Sequence, residues 1–220
     1  MTHEFRLNRL LSKPLTFLLL KTPLTPNQVT LLSLFFGVLA GCLFSIGNFK
    51  FEITAALAYQ LAVILDNCDG EIARAKNQKS AIGAWLDIGS DFLVDLSLFL
   101  GLAIGTAKKG ILGPILLFAM LCVSGTAIHL ALVVAEKIKG FGPAAFGVPH
   151  PDHKTRKNFF LTFFDALREG ESCWLVLIFV LAKKTEYLLW LGGVYMQLIW
   201  ISAAFVNFKW LFFKTPDEVH

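Results

Sequence analysis

The sequence is poor in charged residues. They make up 16% of its 220 positions, whereas a soluble domain carries about 25%. Hydrophobic residues make up 55%, and the mean hydropathy is +0.63. So few charges cannot cover a water-facing surface, which excludes an ordinary soluble domain and a disordered chain. We therefore predict an all-α, polytopic membrane protein.

Cysteine is also scarce. The four cysteines lie in or beside apolar runs, and no two of them have CxxC spacing. This distribution argues against a disulfide framework and against a zinc site. It predicts that the cysteines are small, buried hydrophobic side chains.

Long apolar runs dominate what is present, and about 20 residues suffice to cross a bilayer. The six predicted spans are residues 28–46, 51–75, 81–106, 111–135, 159–182 and 186–213. Ahead of them, Arg6, Arg9 and Lys13 recur among leucines at helical spacing. That pattern predicts an amphipathic helix on an anionic membrane surface. The predicted domains are a juxtamembrane segment (1–26), a six-helix domain (27–213) and a C-terminal tail (214–220).

The distribution of basic residues predicts the orientation. With the N-terminus in the cytoplasm, 14 of the 20 lysines and arginines lie on the cytoplasmic side and 5 on the other, with Arg168 inside the fifth span. This bias favours six spans with both termini in the cytoplasm. It also puts the acidic ends of spans two and three near the cytoplasmic face.

Six of the 16 acidic residues fall between Asp66 and Asp95. Asp66 and Asp69 are three residues apart, and Asp87 and Asp91 are four apart, so each pair shares one helix face. The short connection between the two helices makes them antiparallel neighbours. Both aspartate pairs are therefore expected at the same depth.

Four carboxylates that meet within a few ångströms cannot all stay ionised without cations. We predict two divalent cations, because they balance four negative charges. Oxygen-only ligands suit Mg²⁺ or Mn²⁺ and argue against zinc. Two such ions are well matched to phosphoryl transfer.

These carboxylates belong to a longer pattern of eight residues at fixed spacing. It reads Asp66-x-x-Asp69-Gly70-x-x-Ala73-Arg74, then eight residues, then Gly83-x-x-x-Asp87-x-x-x-Asp91. This pattern resembles the signature of the CDP-alcohol phosphatidyltransferase family. The variable positions Cys68, Glu71 and Trp85 look like those of the members that handle inositol phosphates.

The resemblance implies an integral membrane enzyme that transfers a substituted phosphoryl group from a CDP-linked donor to an acceptor hydroxyl and releases CMP. It implies a donor of the CDP-diacylglycerol or CDP-inositol type, a small alcohol or lipid as acceptor, and no nucleic acid partner. It implies that Asp66, Asp69, Asp87 and Asp91 bind the metals, with Asp91 also the general base. It implies that Gly70, Ala73, Arg74 and Gly83 shape the CDP site.

Members of this family are commonly homodimers. The spacings of Gly37 with Gly41 and of Gly101 with Gly105 permit close helix contacts, including contacts between two copies. Pro26 and Asn27 resemble a family feature near the nucleotide, and a simple helix cap explains them equally well.

Other interpretations stay open. Intramembrane carboxylates also occur in ion or proton transporters, and a scaffold without activity can retain the pattern by descent. Arg74 can be a membrane anchor, and Gly70 and Gly83 can serve helix packing. Asp95 is either a partner of the metal ligands or a polar residue of the bundle. We expect Glu71 to pair with a nearby base.

The segment after span four is basic and carries His150 and His153. It is either a solvated patch that faces lipid headgroups or a site for a phosphate on the acceptor. The candidate acceptor-binding residues are Arg168, Lys154 and Arg156. Arg168 leads them because an arginine inside a span needs an anionic partner, although Asp165 or Glu169 would also serve.

Overall fold

The computed structural model describes residues 7–110, 115–139 and 172–213, and every described element is a helix. The helices are α1 (Leu7–Leu20), α2 (Pro26–Phe44), α3 (Phe49–Ala75), α4 (Ala81–Lys108), α5 (Ile115–Lys139), α6 (Ser172–Leu181) and α7 (Glu186–Phe213). The predicted all-α class is confirmed. Three of the described helices are long and apolar enough to cross a membrane: Pro26–Phe44, Ala81–Lys108 and Ile115–Leu132.

The helix starts are fixed by capping groups. Thr25 and Gln28 form a capping box at α2, with the Gln28 backbone N–H donating to Thr25 Oγ1 (3.4 Å) and the Thr25 N–H to Gln28 Oε1 (2.9 Å). Asn48 caps α3, and Ser80 caps α4 by accepting from the Gly83 N–H (3.0 Å). Thr25 is thus the cap of α2, which leaves Asn27 available for another role.

Helices α2, α3 and α4 form the centre of the bundle, with α2 packed against both of the others. A Cβ at Gly37 would collide with Val94, and one at Gly101 with the Gly41 carbonyl. Both glycine pairs therefore serve packing of α2 against α4 within the chain. These glycine faces are occupied, so they are not the dimer surfaces that their spacing permitted.

The apolar core has two parts. The larger runs through the middle of the bundle and includes Phe44, Leu102 and Leu189. The smaller lies beneath the acidic end of α3, around Val29 and Ile72. This apolar cluster packs against the end of α3 that carries Asp66 and Asp69. These two aspartates therefore lie on a well-packed helix and not on a loop.

At the opposite end of the bundle, an ion pair and two hydrogen bonds connect α3, α4 and the residue before α7. Lys109, just after α4, forms an ion pair with Glu52 at the start of α3. Lys109 Nζ also donates to Thr185 Oγ1 (2.9 Å), and that hydroxyl donates to Glu52 Oε1 (3.4 Å). Glu52 is buried. The ends of α3, α4 and α7 are thus fixed together far from the acidic residues.

Helix α1 packs on α3 with its polar side. Asn8, Ser12 and Thr16 are buried, whereas Leu10 and Phe17 are exposed. A hydrocarbon environment explains this arrangement, because polar groups there need protein partners and apolar side chains do not. The sequence predicted the helix but not which side faces the protein, and its placement on an anionic membrane surface stays a prediction.

The four cysteines form no disulfide. Cys68, Cys122 and Cys173 are buried, as predicted, whereas Cys42 is exposed on α2. The prediction was wrong for Cys42 because an apolar run does not reveal which side of its helix faces the core.

Candidate active site

The last turns of α3 and the first turns of α4 bring the aspartates together. The two helices run antiparallel and are joined by the turn 76–80, in which Asn77 adopts a left-handed backbone conformation (φ 53°). Asparagine tolerates this conformation better than most residues. The turn therefore returns the chain, and carboxylates from both helices meet at this end of the bundle. The expectation that α3 and α4 are direct packing neighbours was wrong, because α2 packs against both of them.

One oxygen from each of Asp66, Asp69 and Asp87 lies within 4.8 Å of the other two. We call these three residues the acidic cluster. Asp69 is buried in it. Three carboxylates at this separation repel one another, so a cation between them would relieve the repulsion. The donor set consists only of oxygen atoms, which fits Mg²⁺ or Mn²⁺ and not zinc.

Asp91 lies one turn further along α4 than Asp87. Its carboxyl group shares a hydrogen bond with that of Asp66. Asp91 is exposed to the cavity that Asp66 and Asp87 also line. It thus stands beside the acidic cluster and open to an incoming molecule.

Asp69 is held from α2 as well as from its own helix. Thr30 Oγ1 lies 2.5 Å from Asp69 Oδ2 and donates its hydrogen bond there. Thr30 is itself buried. The sequence reasoning missed this residue, although a hydroxyl three residues after Asn27 in an apolar run was a visible signal.

The other signature residues line the approach to the acidic cluster. The Arg74 guanidinium lies over Gly70, where a Cβ would sit 3.4 Å from its Nη1. A Cβ at Gly83 would sit 2.9 Å from Asn27 Oδ1, so Gly83 lets α2 and α4 approach each other here. Ala73 is half-buried on the same stretch of α3. The space that a side chain would fill is thus occupied by the Arg74 guanidinium at Gly70 and by the Asn27 amide at Gly83.

Glu71 corrects a prediction. Its carboxylate accepts hydrogen bonds from Thr16 Oγ1 (2.6 Å) and Ser12 Oγ (3.2 Å) of α1. It was expected to pair with a base, and no base among the described residues does so. Two hydroxyl groups take the place of the expected basic side chain, because α1 presents its polar side to α3. Ser12 and Thr16 were not anticipated.

A cavity of about 1200 Å³ opens from the aspartates into the bundle. Asp66, Asp87, Asp91 and Asp95 line its polar end. Its other walls come from residues of α2 to α7, most of them apolar, such as Phe99, Val176 and Leu188. We call it the site cavity. Asp95 faces this cavity one turn deeper than Asp91 and is not one of the three residues of the acidic cluster.

Five residues singled out from the sequence lie outside the described part of the chain. They are His150, His153, Lys154, Arg156 and Arg168. Their proposed contact with an acceptor phosphate therefore stays a prediction.

The chain matches the model of a known protein family. The family model "CDP-alcohol phosphatidyltransferase" matches residues 23–206. The chain belongs to this family of membrane enzymes, and it is an integral membrane protein. The eight-residue signature that carried the resemblance lies within the matched range, as does the acidic cluster.

Three named proteins are similar to this chain in sequence. An archaetidylinositol phosphate synthase of Pyrococcus horikoshii is 28% identical over 147 residues, which are 67% of this chain and 73% of that protein. A bifunctional IPC transferase and DIPP synthase of Archaeoglobus fulgidus is 31% identical over 76% of this chain. Another, from Rubrobacter xylanophilus, is 42% identical over 41% of this chain. The chain spans only 30% and 20% of the lengths of these two bifunctional relatives.

Solved structures share the fold. The phosphatidylinositol phosphate synthase of Mycobacterium tuberculosis with CDP-DAG bound superposes with a TM-score of 0.63 at 19% identity. The match covers 95% of this chain and 96% of that one. The same enzyme in complex with manganese and citrate superposes with a TM-score of 0.60. The helical arrangement described above is therefore that of a known membrane-enzyme fold.

Proposed function

We propose that this protein is a membrane-embedded transferase that moves a substituted phosphoryl group from a CDP-linked alcohol to the hydroxyl of an acceptor and releases CMP. The observation that carries the proposal is the convergence of Asp66, Asp69 and Asp87 in a chain of this family. Three carboxylates are costly in a membrane unless they bind something. A donor diphosphate with its cations is such a ligand.

The acidic cluster would hold divalent cations, Mg²⁺ or Mn²⁺, with Asp91 completing the set for a second ion. When bound, such ions neutralise the diphosphate and stabilise the leaving phosphate oxygen. The donor set fits them because all its atoms are carboxylate oxygens. The manganese in the Mycobacterium enzyme supports the same assignment.

The chain's own residues have separate tasks in this reaction. Asp91 accepts the proton of the acceptor hydroxyl, whose oxygen then attacks the β-phosphorus next to the donor alcohol. The bond from that phosphorus to the CMP phosphate breaks, and CMP leaves with the bridging oxygen. Arg74, above Gly70, lies where it can bind a phosphate oxygen. Gly70, Ala73 and Gly83 leave room for the nucleotide.

The relatives favour an inositol phosphate as part of the substrate pair. The Pyrococcus relative is named for an inositol-containing product, and so is the Mycobacterium enzyme that shares the fold. The donor is of the CDP-diacylglycerol or CDP-inositol type, and the acceptor is a small alcohol or a lipid. We assign the acceptor phosphate to Arg168, assisted by Lys154 and Arg156, because an arginine inside an apolar segment needs an anion.

We also place the protein in the membrane with six spans, both termini and the active site in the cytoplasm, and a homodimer as its working form. Lys109 and Thr185 meet at the end of the bundle away from the aspartates. The excess of basic residues on the side of the aspartates supports a cytoplasmic active site. Cysteines introduced at Gln78 and at Lys108 should react with an impermeant maleimide from opposite sides of sealed vesicles. Labelling from one side only would contradict the placement.

The deciding experiment is a matrix of CDP-donors against acceptors with the purified protein in nanodiscs, read out as CMP. We expect CMP release with one pair, dependent on Mg²⁺ or Mn²⁺, and lost in Asp91→Asn. Release of CMP under no pairing would refute the transferase. Cation flux into liposomes without nucleotide turnover would instead favour a transporter, for which neither the family nor the relatives give support.

The Arg168 assignment has its own test. Arg168→Ala should raise the acceptor KM at least ten-fold and leave the donor KM within two-fold. Arg168→Lys should recover part of the loss, because it keeps the positive charge. Equal changes in both KM values would contradict the assignment.

A further inference from the structure

Thr30 of α2 contacts the acidic cluster directly. Its hydroxyl oxygen lies 2.5 Å from Asp69 Oδ2 and 3.2 Å from the Pro26 carbonyl oxygen. A threonine hydroxyl has one proton to donate. The shorter contact takes that proton, and hydrogen bonds to a carboxylate are the stronger kind.

The contact is held in place from both sides. Ser33, one turn along α2, donates to the Ala62 carbonyl of α3 at 2.8 Å. Gly37 and Gly41 bring α2 into close contact with α4. Thr30 itself is β-branched and therefore restricted in χ1. Its hydroxyl can neither turn away freely nor move without shifting α2.

Both partners are shielded from solvent, with Thr30 4% exposed and Asp69 7% exposed. A buried carboxylate that loses a hydrogen-bond donor gains no water in exchange. Without Thr30, Asp69 would be free to turn toward another donor. Its oxygens would then no longer be fixed relative to Asp66 and Asp87.

We infer that Thr30 is a positioning residue that fixes the Asp69 carboxylate for cation binding. This inference rests on the proposed function, in which Asp69 is a metal ligand. Groups that hydrogen-bond a metal ligand typically contribute 10–100-fold to metal affinity or activity. Thr30 touches neither the donor nor the cation; it acts through Asp69.

Two substitutions at position 30 separate positioning from packing. Thr30→Val keeps the shape and removes the hydroxyl, whereas Thr30→Ser keeps the hydroxyl and removes a methyl group. Thr106→Val is the matched control, because Thr106 is also buried and, within the described part of the chain, its hydroxyl bonds only the Leu102 carbonyl, at the other end of α4.

The affinity for Mn²⁺ is measured on the intact protein in nanodiscs by calorimetry and by the electron paramagnetic resonance signal of free Mn²⁺. We expect Thr30→Val to weaken binding about ten-fold or more, Thr30→Ser to stay within about three-fold of wild type, and Thr106→Val to match wild type. Circular dichroism shows whether each variant is folded. If Thr30→Val does not fold, Thr30→Ala is measured in its place.

Equal Mn²⁺ affinity in Thr30→Val and wild type would overturn the inference, as would equal losses in Thr30→Val and Thr30→Ser. Neither result bears on the proposed transferase function, which CMP release by the wild-type protein tests. Conversely, a wild-type protein that binds Mn²⁺ but releases no CMP would refute the proposed function, while the two variants would still decide the role of Thr30.

Discussion

Gly101 of α4 packs directly on the backbone carbonyl of Gly41 of α2. A Cβ at position 101 would occupy the space of that carbonyl oxygen. The two helices therefore touch through their backbones, and no side chain separates them. This contact fixes α2, which holds Thr30, to α4, which holds Asp87 and Asp91.

The Gly41–Gly101 contact predicts that Gly101→Ala destabilises the protein. The added methyl group must push α2 and α4 apart, and overpacking of this kind costs roughly 1–3 kcal/mol. Gly89→Ala is the matched control, since a Cβ there meets nothing within 4 Å. It should be neutral or stabilising by up to about 1 kcal/mol. Thermal unfolding in detergent measures both, and a lower Tm for Gly89→Ala alone would contradict the contact.

Asp87 and Asp91 should respond differently to substitution. Asp87 belongs to the acidic cluster, so Asp87→Asn should lose both Mn²⁺ binding and CMP release. Asp91→Asn should lower turnover on the order of 10²–10⁴-fold, as expected for a general base. It should retain the tighter Mn²⁺ site, because Asp91 lies outside the cluster. Calorimetry and a CMP assay test this pair, and loss of all Mn²⁺ binding in Asp91→Asn would contradict the separation of roles.

Much of this site follows from the spacing of a few residues. The spacing of Asp66, Asp69, Asp87 and Asp91, with a short turn between the helices, sufficed to predict their convergence. α3 ends at Ala75 and α4 begins at Ala81, where the sequence indicated. These features are local, since they depend on helical periodicity and on a short connection.

The contacts that the sequence did not reveal are those between distant segments. Whether Thr30 reaches Asp69 depends on the rotation of α2, which Gly41 and its partners on α4 determine. Glu71 accepts from two hydroxyls because α1 turns its polar side inward. Nothing in the periodicity of α1 distinguishes a side that faces protein from one that faces water, because the surrounding solvent decides it.

Glu71 should be necessary for docking of α1. Glu71→Leu removes the acceptor of two hydrogen bonds, and bonds to a charged group are worth roughly 1.5–3 kcal/mol each. Residues 7–20 should then exchange amide hydrogen faster than in wild type. Glu71→Gln keeps one carbonyl oxygen and should give an intermediate rate. Hydrogen exchange followed by mass spectrometry measures this, and unchanged protection in Glu71→Leu would contradict it.

The Glu52–Lys109 ion pair should contribute to stability and not to the chemistry. Lys109→Met leaves the buried Glu52 carboxylate without its cation, and a change of this kind costs about 3–5 kcal/mol. The double variant Glu52→Gln with Lys109→Met should recover part of that loss. Mn²⁺ affinity should stay at the wild-type value in both. Thermal unfolding gives the comparison, and a double variant less stable than Lys109→Met would contradict it.

The inward polar side of α1 has a consequence for shortened forms of the protein. A chain that began at Thr22 would uncover Glu71 and Gln60 of α3 to acyl chains, because Ser12, Thr16 and Asn8 now cover them. Such a truncation would place the charged Glu71 side chain in contact with lipid acyl chains. Deletion of this first helix should therefore damage insertion and yield before it alters any catalytic constant.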